Sequence, residues 1–157
     1  MTGPKGDVTR QQIYQALAAK LATVSGITTV TRKPVSIDQI AQLQTPCMWI
    51  EQVPQLYESP MPQAPTQVKL RVDVSIALSQ PGIVEPTGAE TYIPADDIND
   101  LLDKLDAALQ PDWSQANLLT LDGLVYWCRI VGQVITDDRT FNGKLLIIVP
   151  FEILVTT

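Results

Sequence analysis

The chain contains no histidine and only two cysteines. Without an imidazole, neither a Ser-His-Asp nor a Cys-His arrangement can be assembled, and no side chain rests naturally near neutral pH as a general base. Chemistry run by carboxylates, lysine or tyrosine stays open. Two thiols without histidine also leave a structural zinc site short of ligands. Cys47 and Cys128 sit inside the strand-like runs Cys-Met-Trp-Ile and Val-Tyr-Trp-Cys-Arg-Ile-Val. A small buried thiol is the simplest reading of each, with a disulfide as the alternative.

Long apolar runs are missing too. None approaches the roughly 20 residues that cross a bilayer, and the opening Met-Thr-Gly-Pro-Lys-Gly-Asp lacks the apolar stretch of a secretory signal. A protein made and used without export is expected. Glycines number 8 and are scattered, with no Gly-x-Gly-x-x-Gly and no Gly-Lys-Ser/Thr, so nothing points to nucleotide binding. Aromatic residues are 6% of the chain. Trp49, Trp113 and Trp127, with Tyr126, read as core or interface residues, because a base-stacking platform comes with a basic groove.

No basic groove is in prospect. The net charge is −6 and unevenly spread. Residues 1–80 carry 7 Lys and Arg against 5 Asp and Glu, a net of +2; residues 81–157 carry 4 against 12, a net of −8. Gripping phosphates or an anionic membrane needs clustered cations, so both partners are disfavoured.

What is present is a globular composition, 45% hydrophobic and 18% charged over 157 residues, enough for one domain with its own core. After a flexible tail over 1–6, Ile13, Leu17, Leu21 and Val24 predict a helix from Asp7, as cap, to Val24, stopped by Gly26. The β-branched run 27–32 predicts a short strand. Ser36-x-x-Gln39 has capping-box spacing for one or two helical turns. Cys47–Val53 is a strand bounded by Pro46 and Pro54, and four prolines within 54–65 predict a long loop. From Val68 to Leu78, six apolar residues alternate with Lys69, Arg71, Asp73, Ser75 and Ala77, the period of a strand with one buried face. A second loop covers 80–95. A helix capped by Asp96 then runs to Leu109 with Ile98, Leu101, Leu102, Leu105 and Leu109 in one stripe. Strands 124–135 and 144–155 form a closing hairpin, in which Pro150 marks an edge or a bulge. The predicted fold is α+β: an antiparallel or mixed sheet of four to five strands, two main helices on one face, and long Pro-rich loops.

Few residue sets could carry chemistry. Asp96, Asp97, Asp100, Asp103 and Asp106 lack the spacing of a calcium loop and read as a solvated helix face. Glu51 and Glu152 lie in strands, but a hydrolytic carboxylate pair needs a cleft and one raised pKa. No cofactor, metal or catalytic set is expected. Binding through loops and exposed strand faces is what remains. Candidate subunit-interface residues are Lys69, Arg71 and Asp73 on the long strand and Asp137, Asp138 and Arg139 at the hairpin tip. Candidate partner-binding loop residues are Tyr57, Glu58 and Met61 in the first loop and Ile83, Val84 and Tyr92 in the second.

The element order resembles something known. An amphipathic helix (Ile13-Tyr14-Gln15-Ala16-Leu17 onward) leads to a short strand and then to Pro46-Cys47-Met48-Trp49-Ile50-Glu51. The alternating strand 68–78, an Ile98-Asn99-Asp100-Leu101-Leu102 helix and a terminal hairpin follow. Over residues 8–156 this is similar to the tail terminator and tail-completion proteins of long-tailed bacteriophages, through order, size and texture rather than a diagnostic motif. The resemblance implies a non-catalytic homohexameric ring in the virion, assembled in the host cytoplasm. Such a ring caps the tail tube at its head-proximal end, ends polymerisation and meets a head-side connector. The family's channel passes DNA, which an acidic wall would let slide. A neck adaptor or tube-like subunit, or less readily a carboxylate-dependent enzyme, are the competing readings. A ring closes through two different patches, and the charge asymmetry suggests that the Lys69 and Arg71 side meets the acidic second half of a neighbour. Charge reversal at Arg71 is then expected to weaken self-association in a salt-dependent way, measurable by sedimentation; unchanged association would count against it.

Overall fold

The computed structural model of the protein describes residues 1–40, 42–59, 61–79, 94–111, 119–137 and 144–156. Its centre is a pair of thirteen-residue strands. In chain order the elements are β1 (Thr2–Gly3), β2 (Gly6–Asp7), α1 (Arg10–Leu21), β3 (Thr29–Thr31), α2 (Ile37–Ile40), β4 (Cys47–Glu58), β5 (Gln67–Ser79), α3 (Pro94–Leu109), β6 (Trp127–Ile130), β7 (Ile135–Asp137) and β8 (Lys144–Thr156). The strands form one mixed sheet in the order β2-β1-β8-β5-β4-β3, with β6 and β7 also paired to β8. β5 and β8 are antiparallel in unbroken register from Gln67↔Thr156 to Ser79↔Lys144. Among the described residues only β3 and β4 run parallel.

The α+β expectation holds, with α1 and α3 packed on one face. The strand count is larger than four to five because short pieces line the margins. Residues 1–6, expected as a tail, carry β1 and the first residue of β2, and β1 joins β8 at Thr2↔Thr156. Asp7 is therefore extended and does not cap the helix. Thr9 does: its Oγ1 accepts from the Gln12 N–H at 3.2 Å, and Gln12 Oε1 accepts from the Thr9 N–H at 2.8 Å. α3 begins at Pro94, two residues before the expected Asp96, since proline suits the first turn of a helix.

The predicted loop 54–65 is corrected most. β4 runs through Pro54 to Glu58 with a register shift between Val53 and Leu56, so the connection to β5 is only residues 59–66. The Pro46 carbonyl accepts from the Thr28 N–H at 2.9 Å across the outer edge of β4. Strand alternation then turns the backbone of Pro54 to that same edge, where β3 no longer reaches and a missing N–H costs no ladder bond.

Pro150 disturbs the other side of the sheet. Its carbonyl accepts from the Val131 N–H at 3.0 Å. Both backbone positions of a strand residue point to the same edge, so the absent N–H lies where the 124–135 strand was expected to be continuous. Instead the chain breaks into β6 and β7, with Gly132 at φ +107° facing the proline ring.

One face of the sheet builds the core. Val68, Leu70, Val72, Val74 and Ile76 of β5 and Ile147, Val149, Phe151, Ile153 and Val155 of β8 are buried beneath Ile13, Tyr14, Leu17 and Leu21 of α1 and Leu101, Leu105 and Leu109 of α3. On the opposite face, a smaller cluster of Ile40, Cys47, Trp49 and Ala77, flanked by Leu43 and Leu146, lies around α2. Both cysteines are free and buried, and burial pushes the Cys128 thiol up to about 12. Leu105→Ala empties a fully buried site between α3 and the sheet and is expected to cost about 2–5 kcal/mol. Thr9→Ala, which removes only the cap, is expected to cost about 1 kcal/mol. Urea titration of the two variants gives the comparison.

Candidate interaction surface

The residues of β5 that point away from the core are those the alternation singles out: Lys69, Arg71, Asp73, Ser75 and Ala77. Register extends this row into a surface. Arg71 lies between Val53 of β4 and Glu152 of β8, and Arg129 of β6 lies on the far side of Glu152. One step along the strands, Glu51, Asp73 and Pro150 form the next row. Beyond it come Trp49, Ser75, Ile148 and Ile135. In the other direction, Leu56, Lys69, Leu154 and Trp127 are aligned. The surface thus runs from an apolar row with one lysine, through an arginine–glutamate–arginine row and an acidic row, to a second apolar row, across β4, β5, β8 and the β6 and β7 margin. α2 covers the end that carries Cys47, Trp49 and Ala77, so the last of these rows is buried at its β4 side.

The charges on this face are held in place. Glu152 is 5% exposed, and Arg71 Nη2 reaches its Oε2 at 3.2 Å while the arginine side chain stays half exposed. A nearly buried carboxylate with a cation laid over it is a fixed pair rather than a solvated one. The Arg129 guanidinium stacks over the Trp127 ring at 4.0 Å, a cation–π contact between residues two apart on the same strand face. Lys69 Nζ lies 2.9 Å from Glu58 Oε2. The Trp49 indole N–H donates to Glu51 Oε1 at 3.2 Å. Desolvation, and then the charge of Glu51 directly opposite, raise the Asp73 carboxyl above its ordinary value.

Beside the Arg71–Glu152 pair is a hollow of about 340 Å³ bounded by Val53, Ile135, Ile148 and Pro150. Ile135 is 52% exposed there, and Leu56 is 41% exposed in its own band. At the β4–β5 tip Met61 is 68% exposed.

The sequence-predicted residues divide clearly. Lys69, Arg71 and Asp73 share one face, as expected. Tyr57 and Glu58 are strand residues, corrected from the loop, because β4 passes the proline. Tyr57 points to the helix side, where Arg10 of α1 donates to its hydroxyl and, at 3.0 Å, to Gln55 Oε1. Met61 lies in the connection, as expected. Asp137 ends β7. Asp138 and Arg139, Ile83, Val84 and Tyr92, and Trp113 lie outside the described residues. Glu51 and Glu152 are not brought together, since β5 runs between them; each has a β5 partner instead, Asp73 and Arg71. Sequence reasoning missed Arg129, Trp127 and Ile135 as members of this face, although period-two alternation within each short strand could have marked them.

Asp73 makes a pH prediction. The folded chain holds its proton more tightly than the unfolded chain. Its contribution is therefore most favourable below the ordinary carboxylate range and is lost as pH rises through the elevated native pKa. Asp73→Asn removes the penalty. It is expected to raise Tm at about pH 7, with the gain shrinking toward about pH 3–4, where the unfolded aspartate also protonates. A gain that is constant across that range would contradict this reading of the site.

No family model matches the sequence, and no curated protein matches it. Among solved structures, a chain described as "Virion of native gene transfer agent (GTA) particle" is similar with a TM-score of 0.49 at 13% identity, over 92% of this chain and 92% of that one.

Proposed function

We propose that the chain is a structural component of a phage-like virion that works by assembling with copies of itself, and more specifically that it is a tail terminator. On this reading it forms a homohexameric ring on the head-proximal end of the tail tube. The ring ends tube polymerisation and offers a joining surface to a head-side connector. It needs no cofactor, and DNA passes through it without specific contact. The observation that carries the reading is the banded face around Arg71 and Glu152, which lies opposite α1 and α3. A sheet of this breadth, with charges already fixed by neighbours and exposed apolar residues between them, is suited to meeting another protein surface. The exposed Met61 tip and the segment around Ile83, Val84 and Tyr92 are the contacts we assign to tube and connector.

A carboxylate-dependent activity has one observation in its favour, the Glu51–Asp73 pair with its raised Asp73 carboxyl. Retained folding with lost turnover in Asp73→Asn would support that reading.

Mixing the purified protein with polymerising tail tube protein, followed by negative-stain electron microscopy, tests the proposal. Tubes are expected to stop growing and to carry the protein at one tip only. Tubes that incorporate it along their length would identify a tube subunit, and tubes that never bind it would overturn the role.

A further inference from the structure

On the helix side of the sheet, the outer margin of β4 gathers donors that the fold leaves without an acid. β3 pairs with β4 only as far as Thr31↔Trp49, so among the described residues no strand covers that margin from Ile50 onward. Arg32 lies just past the end of β3, with its guanidinium 5.5 Å from the centre of the Tyr14 ring. Arg10 opens α1 one turn before Tyr14 and donates to the Tyr57 hydroxyl and, at 3.0 Å, to Gln55 Oε1. Both acceptors are neutral. Among the described residues neither guanidinium has a carboxylate at ion-pair distance. Glu58 is taken by Lys69, and Glu51 accepts from the Trp49 indole on the other face. The first turn of α1 holds no acid either, so the positive end of its dipole is uncompensated. Tyr14 itself is 1% exposed, and its buried hydroxyl has no hydrogen-bond partner. Gln55 approaches that hydroxyl without closing a bond. Burial raises the Tyr14 pKa against the opposing pull of Gln55, Arg10 and Arg32, so at neutral pH the group keeps its proton and is a donor. Beside Arg32 opens a hollow of about 390 Å³, bounded by Pro34, Ile50, Glu51 and Gln52.

From this placement we propose that the margin binds a phosphate group, held between the Arg10 and Arg32 guanidiniums with the Tyr14 hydroxyl as a third donor. The entering anion displaces the Gln55 amide and so uncovers the hydroxyl. A charged acceptor also gives Arg10 stronger bonds than the neutral Gln55 and Tyr57 do. The donor set selects the ligand. One guanidinium suffices to grip a planar carboxylate through both of its oxygens. Two that arrive from separate elements, with a hydroxyl beside them, suit a tetrahedral dianion with three acceptor oxygens. A nucleic-acid backbone fits less well, because gripping it takes a run of cations rather than an isolated pair. Arg10 and Arg32 stand far apart in the chain, and only the packing of α1 against the end of β3 brings both to Tyr14. The site lies on the sheet face opposite Arg71 and Glu152 and does not rest on the ring reading.

Isothermal titration calorimetry at constant ionic strength, and at a pH where phosphate is dianionic, tests the site. The ligands are inorganic phosphate, ethyl phosphate, diethyl phosphate and acetate. Inorganic phosphate and ethyl phosphate are expected to bind with a Kd of about 1 mM or tighter. Tighter binding of ethyl phosphate would assign the site to phosphate esters, and tighter binding of inorganic phosphate to the free ion; either supports it. Arg32→Gln and Arg10→Gln are each expected to weaken binding by about tenfold or more. Tyr14→Phe keeps the ring in the core and removes only the unpartnered oxygen. It is expected to weaken binding by about threefold to tenfold while leaving the Tm without ligand unchanged or higher. That combination separates a ligand donor from a structural hydroxyl, whose loss would lower Tm. Acetate or diethyl phosphate binding as tightly as the dianions would overturn the assignment to a phosphate dianion. No binding of either dianion at tens of millimolar would overturn the site. So would binding that Arg32→Gln and Tyr14→Phe leave unchanged.

Discussion

The thirteen-residue antiparallel register of β5 with β8 is the constraint from which the rest follows. A strand sends successive side chains to opposite faces, and here two long central strands alternate in step over their whole length. A slip of one residue would exchange Val68, Leu70, Val72, Val74 and Ile76 for Lys69, Arg71, Asp73, Ser75 and Ala77 against the helices, a substitution the core could not bear. Burial of the apolar set under α1 and α3 thus fixes where the charged set must go. The banded outer face is the necessary other side of the core.

The same register makes the outer face specific. Glu152 is one glutamate in an apolar strand, yet its position opposite Arg71 on one side and Arg129 on the other turns it into the buried anchor of a cationic band. Asp73 is set opposite Glu51 and disfavours its own ionisation. The fold tolerates this at a cost to its own stability.

Much of this was legible in the residues. The strand 68–78, both long helices and the terminal strand follow from period and punctuation, and the shared face of Lys69, Arg71 and Asp73 follows from alternation alone. The errors have local causes. Pro54 reads as a strand breaker, but it lies on an outer edge where no partner needs its N–H, so β4 continues to Glu58. Pro150 reads as an edge or a bulge of the last strand, but β8 is central and unbroken against β5, and the break falls on its other partner, dividing the expected strand into β6 and β7 around Gly132. Asp7 has the chemistry of a cap, yet the small β1–β2 hairpin claims it and leaves the task to Thr9. The pairing of Glu51 with Asp73 and of Glu152 with Arg71 depends on strand order and register, which long connections between strands leave open in one sequence. The side of the sheet on which α2 lies was equally hidden, because a single turn buries too few residues to declare its partner.

The sheet face around Arg71 and Glu152, opposite α1 and α3, is the surface proposed to meet a second copy of this chain. A cryo-electron microscopy reconstruction of the particle the protein forms with itself examines that most directly. The expected density is a closed ring in which the Arg71 and Glu152 face of each copy is covered by the next. Two sheets meeting face to face about a two-fold axis, or a contact confined to the outer edge of β4, would contradict it.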